Sequence, residues 1–171
     1  LPVETILPDL CRALALHDDV VLQAPPGAGK TTLVPLALAT EPWLGHRRIL
    51  ILEPRRIATR TAALRMASLL GEAPGETVGY RMRLETRVSA RTKIEVITEG
   101  ILTRMLQDDP SLAEVGLVIF DEFHERNLES DLALSLCLKS RELFRQDGPP
   151  LKLLVMSATL DGGRITQLLD G

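Results

Sequence analysis

The stretch "VVLQAPPGAGKTT" (residues 20–32) joins two kinds of pattern. Its first part is short and apolar, as in a buried strand, and its end opens the Ala- and Leu-rich run 30–40, which reads as a helix. Between them, Gly27 and Gly29 let the backbone bend so that several amide N–H groups point inward at one anion. The helix that follows adds the positive end of its dipole. The stretch therefore predicts a phosphate-binding loop between a strand and a helix. Lys30 is expected to reach the β- and γ-phosphates of a nucleotide, and the Thr31 hydroxyl to coordinate Mg²⁺. Such a loop commonly starts on Gly; here Ala24 stands six residues before the lysine, a small departure.

Outward from this loop the same alternation repeats. "VVLQA" (20–24), "ILILE" (49–53), "KIEVIT" (93–98), "GLVIFD" (116–121) and "LKLLVM" (151–156) read as strands. Runs this short and this apolar suit strands covered on both faces, as in a parallel sheet. The segments 30–40, 56–70, 99–107 and 131–146 read as helices, and residues 3–16 as a leading helix. In "DLALSLCLK" the leucines alternate as in a strand, but length and composition favour a helix through 145, capped by Ser130 or Asp131. "VGYRMRL" (78–84) predicts a short strand at a sheet edge, with Arg81 and Arg83 on one face and Tyr80, Met82 and Leu84 on the other. The whole predicts one doubly wound α/β domain over residues 1–171, with a mostly parallel sheet and helices on both faces.

A phosphate loop needs a second strand that ends in an acid, and "VIFDEFHERN" (118–127) supplies it. Asp121 is expected to hold the metal, directly or through water, with Thr31. Glu122 stands beside them at the metal and is placed to orient or polarise the attacking water; with Lys30 it forms the expected catalytic pair. Chemistry of this kind is mainly positioning and neutralisation of phosphate charge.

The totals exclude some classes. No apolar stretch nears the roughly 18 residues of a membrane span, and the acid-containing start lacks the basic region of a signal peptide, so a cytoplasmic protein without membrane attachment is expected. Cys11 and Cys137 lie among Leu and Ala and read as buried, reduced thiols. His17 and His46 read as surface residues. The formal net charge of −3 argues against a generic basic nucleic-acid binder, yet residues 47–93 hold eleven Lys and Arg against four Glu. That asymmetry suggests one face for an anionic partner.

Five short motifs in order carry a resemblance. "GAGKTT" (27–32), "EPRRIAT" (53–59), "TEG" (98–100), "DEFH" (121–124) and "SAT" (157–159) are similar to motifs of the DEAH-box helicases of superfamily 2, over essentially the whole chain. Phe123 stands where Ala is usual, and "DEFHER" with "LEPRRIATR" looks most like the bacterial HrpB-type ATP-dependent RNA helicases. The resemblance implies the first RecA-like domain of a P-loop NTPase that hydrolyses ATP, or another nucleoside triphosphate, with Mg²⁺ while moving along single-stranded RNA. It implies nucleotide contacts from Pro26, Gly27, Ala28, Gly29, Lys30, Thr31 and Thr32; the position of Arg65 in the helix after "PRR" suggests that it stacks on the base. It places Arg55, Arg56, Thr98, Glu99 and Gly100 along the RNA strand, and gives His124, Ser157 and Thr159 the coupling of nucleotide state to a second RecA-like domain. That second domain is expected to follow the last motif and to complete the ATP site with arginines.

Rival readings fit less well. A GTPase-type switch should carry an Asn-Lys-x-Asp motif, which this sequence lacks, and nothing marks the acceptor pocket or lid of a small-molecule kinase. A non-catalytic, nucleotide-dependent interaction module shares the loop and the acid and stays open as the alternative.

Overall fold

All six residues of "VGLVIF" (115–120) are buried, and a strand with no solvent face needs cover on both sides. A computed structural model of the chain describes residues 2–25, 29–125, 127–158 and 162–169, and supplies that cover. In order, the elements are α1 (Leu7–Leu16), β1 (Asp19–Gln23), α2 (Lys30–Leu38), β2 (Arg48–Leu52), α3 (Arg56–Leu69), β3 (Val78–Met82), β4 (Glu85–Arg87), β5 (Ile94–Ile97), α4 (Glu99–Asp108), β6 (Val115–Phe120), α5 (Leu128–Phe144), β7 (Lys152–Ser157) and α6 (Gly162–Leu169). Among the described residues the strands form one seven-stranded sheet in the order β1-β7-β6-β2-β5-β3-β4. Every pairing is parallel except β3 with β4.

The period-two geometry of a strand divides the apolar runs between two layers. Ile49 and Ile51 join Leu117, Ile119, Leu154 and Met156 in a core shared with Leu14 of α1, Val34 and Leu38 of α2 and Met66 of α3. Leu50 and Leu52 join Val118, Phe120, Leu153 and Val155 against Leu102 of α4, Leu134 and Cys137 of α5 and Ile165 of α6. The expected α/β sandwich, helices on both faces of a mostly parallel sheet, is the observed one.

Several local expectations are corrected. The leading helix is split: a 3₁₀ turn at Pro2–Thr5 precedes α1, whose first turn contains Pro8. Proline fits a helix start and not its interior. The cap of α5 is neither Ser130 nor Asp131 but Asn127, whose side-chain oxygen accepts the Ser130 N–H at 2.6 Å. The strand from Val78 ends at Met82, and the chain turns through Arg83 and Leu84 into β4, which is the edge strand. Leu84, at φ 68°, is solvent-exposed and does not share the buried face of Tyr80 and Met82. The hairpin is close: a Cβ on Gly79 would collide with the Arg87 carbonyl oxygen. Cys137 is buried as expected, and burial pushes its thiol up to about 12, whereas Cys11 is only partly covered. His17 and His46 are exposed.

Candidate nucleotide site

Parallel strands present their carboxyl ends at one edge of the sheet, where ligands of open α/β domains gather. Each motif read from the sequence lies there. Gly29 and Lys30 follow β1, Ser157 closes β7, Asp121 follows β6, Glu53 follows β2 and Thr98 follows β5. Because these strands are consecutive neighbours in the sheet, the motifs form a continuous row along the edge.

At the start of α2, Gly29 adopts φ 88°, a left-handed conformation open to glycine without strain. Lys30 is only 3% exposed, and its ammonium donates to the Ala24 carbonyl at 3.2 Å. A buried cation with a neutral partner is suited to an incoming anion. The Thr31 hydroxyl donates to Asp121 Oδ2 at 2.8 Å, and Asp121 Oδ1 accepts the Glu122 N–H at 2.9 Å. Asp121 is itself buried, its backbone N–H held by the Leu52 carbonyl of the neighbouring strand at 3.1 Å. Thr32 packs into the first turn of α2, its N–H on the Gly29 carbonyl.

Glu122 sits at φ 53°, unusual for a residue with a side chain. Its Oε2 lies 3.1 Å from His124 Nε2. His124 Nδ1 accepts the Ala158 N–H at 3.1 Å, so the neutral ring carries its proton on Nε2 and donates it to Glu122. The imidazole thus joins the acid of β6 to the "SAT" segment after β7, inside this chain. The Ser157 carbonyl in turn accepts the Ala24 N–H at the start of the phosphate loop. Phe123 is buried edge-on against Phe120, with ring centroids 6.2 Å apart.

Lys30, Thr31, Thr32, Asp121 and Glu122 line a cavity of about 380 Å³, bounded on the α3 side by Arg55 and Arg65. Glu53 lines it too, at 2% exposure, and was not singled out from the sequence as a site residue. No donor among the described residues reaches its Oε1. Burial, then hydrogen-bond contact with Asp121 and the charges of Asp121 and Glu122, hold the Glu53 proton far above the ordinary carboxyl range. Arg55 pulls the other way. Carboxyl groups converging beside a threonine hydroxyl form an oxygen donor set of the kind that magnesium takes. Their mutual repulsion is what a divalent cation relieves, so the residues present fit that ion.

The expected RNA-facing residues cluster at the tips of the adjacent strands β2 and β5. Arg55 stands just before α3 and pairs with Glu125 at 3.2 Å; Arg56 donates to the Arg83 carbonyl at 3.2 Å. Thr98 stands at the N-cap position of α4 with no side-chain bond to the helix, Gly100 is exposed, and Glu99 accepts the Ser130 hydroxyl at 3.0 Å. Burial raises the Glu99 carboxyl above its usual range. Pro26, Gly27, Ala28 and Thr159 lie outside the described residues.

Comparison with known proteins gives a consistent result. The sequence model of the DEAD/DEAH box helicase family matches residues 7–168. The chain is 54% identical over 169 residues to the ATP-dependent RNA helicase HrpB of Escherichia coli, covering 99% of this chain and 20% of that protein. It is 36% identical over 161 residues to the ATP-dependent RNA helicase HrpA of Borreliella burgdorferi, covering 94% and 19% respectively. The crystal structure of the E. coli DEAH/RHA helicase HrpB superposes with a TM-score of 0.91 at 54% identity, covering 99% of this chain and 21% of that one. The chain therefore spans about a fifth of the length of the curated relatives it matches.

Proposed function

This chain belongs to the DEAD/DEAH box helicase family, and on that premise we propose that it is the nucleotide-binding half of an ATP-dependent RNA helicase. The observation that carries the reading is the Thr31–Asp121 hydrogen bond, which brings two motifs 90 residues apart into one cavity beside a buried lysine.

In this reading the phosphates of ATP lie against the N-terminus of α2, where unpaired N–H groups and the Lys30 ammonium take up their charge. Thr31 and Asp121 would hold magnesium, which when bound would supply positive charge against the phosphates. Glu122 positions the attacking water, with its carboxylate fixed in turn by the His124 Nε2–H. His124 links that carboxylate to Ala158, between Ser157 and Thr159 of the coupling motif, a route by which nucleotide state would reach the second RecA-like domain. Arg65 borders the cavity where the base would stack. RNA phosphates would lie along the starts of α3 and α4, at Arg55, Arg56, Thr98, Glu99 and Gly100, contacts that bind without reading sequence.

Lys30→Ala should abolish binding of Mg-ATP while leaving the circular dichroism spectrum unchanged, because the change removes a buried cation and leaves a good helix former at the first position of α2. Unchanged affinity in a calorimetric titration would overturn the site. The 171-residue chain should bind Mg-nucleotide but turn it over slowly and unwind nothing, because the arginines that complete the site belong to the second domain; such a group is worth about 10³–10⁵ in related phosphoryl transfers. RNA-stimulated, steady hydrolysis by this chain alone would contradict that division of labour.

A further inference from the structure

The magnesium–nucleotide reading gives no task to one group in the cavity. Glu53 is fixed at the end of β2, where its N–H donates to the Ile97 carbonyl of β5 at 3.1 Å. Its side chain is 2% exposed and lines the cavity beside Lys30, Thr31 and Asp121. Its carboxyl is in hydrogen-bond contact with that of Asp121, yet no donor among the described residues meets Oε1. Nearly all buried polar atoms in folded proteins have a partner, and one that lacks it is usually kept for function. A glutamate retained for packing alone would be better replaced by an apolar residue of its size.

We propose that Glu53 is a positioning residue of the divalent-cation site: lodged against Asp121, its carboxyl holds that metal ligand in the orientation in which it meets the ion. Asp121 is otherwise fixed through Thr31 on Oδ2 and the Glu122 N–H on Oδ1. Thr31 can ligate a metal through a lone pair of its hydroxyl oxygen while its O–H still donates to Asp121. Glu53 adds a third neighbour, from the end of β2, that restrains Asp121 as the ion arrives. Partners of this kind change metal affinity without touching the metal.

The inference rests on the proposed reading of the cavity, and the test separates the two. Mn²⁺ binding to the ADP complex of the 171-residue chain is titrated by electron paramagnetic resonance, alongside ADP affinity in EDTA and the thermal midpoint. Glu53→Ala should weaken Mn²⁺ binding about 10- to 100-fold, with metal-free ADP affinity unchanged and the melting temperature not lowered. Glu53→Gln, which keeps the shape and the packing against Asp121, should recover most of the loss. Glu53→Val serves the same purpose if alanine loosens the end of β2. Wild-type Mn²⁺ affinity in Glu53→Ala, or a Gln variant as weak as the Ala variant, would overturn the proposal. A wild-type chain that binds ADP with no response to Mn²⁺, and a Thr31→Val chain that behaves identically, would instead overturn the underlying reading and the proposal with it.

Discussion

His124 shows how one side chain can hold two motifs together. Its Nδ1 is committed to the Ala158 N–H and its Nε2–H to Glu122, so the ring has one tautomer and one orientation. His124→Ala should leave Mg-ADP affinity of this chain unchanged, since the imidazole does not line the cavity. In the complete protein the same change should lower kcat by about tenfold to a hundredfold, the usual scale for a slightly misplaced catalytic group; single-turnover hydrolysis checks it. At this scale the sequence was legible where residue type and spacing are both demanding. A lysine directly after a loop glycine, matched by an acid pair closing a second apolar strand, has few other uses. Glu53 was less legible because a glutamate after "ILIL" reads as a strand end meeting solvent, and only the neighbouring strands show that Asp121 crowds it. The inward partner of His124 was hidden for the same reason, because it is a backbone N–H and carries no sequence signature.

Elements followed the apolar runs closely, since strands buried on both faces leave little choice of register. What escaped was governed by short-range chemistry with several equivalent solutions. Asn127, Ser130 and Asp131 can each cap a helix, and β4 follows a hairpin turn that lacks the Asn-Gly or Asp-Gly pair that usually announces one. The connection from α4 to β6 illustrates such local wiring. Asp109 accepts the Ser111 hydroxyl at 2.7 Å, the Ser111 N–H at 3.1 Å and the Ala113 N–H at 2.9 Å. These bonds, the Ser111 hydroxyl first, hold its carboxyl below the ordinary range. A depressed carboxyl stabilises the fold above its unfolded pKa, and that contribution fades as pH falls through the folded value. Asp109→Ala should therefore cost about 1 kcal/mol at pH 7, discounted already for the solvent around it. Urea melts should show the gap between the proteins narrowing below about pH 4.

For the molecule as a whole, the cavity draws on α2, α3 and the ends of β2 and β6, so a ligand there ties together elements from the two halves of the chain. At a hundredfold excess over Kd, Mg-ADP should add about 2.7 kcal/mol of stability, or roughly 5–10 °C in Tm for a domain of this size. Differential scanning calorimetry should show that rise in the wild type and none in Lys30→Ala. A different consequence follows from the left-handed backbone of Glu122. Any side chain there carries a conformational penalty of about 1 kcal/mol that glycine escapes and asparagine partly avoids. A library of variants screened for heat resistance alone would thus be drawn to Gly or Asn at position 122, and its winners would be sturdier proteins without the carboxylate proposed to position water. On that proposal thermostability and turnover compete for this one codon, and an engineer who wants both has to hold it fixed and search elsewhere.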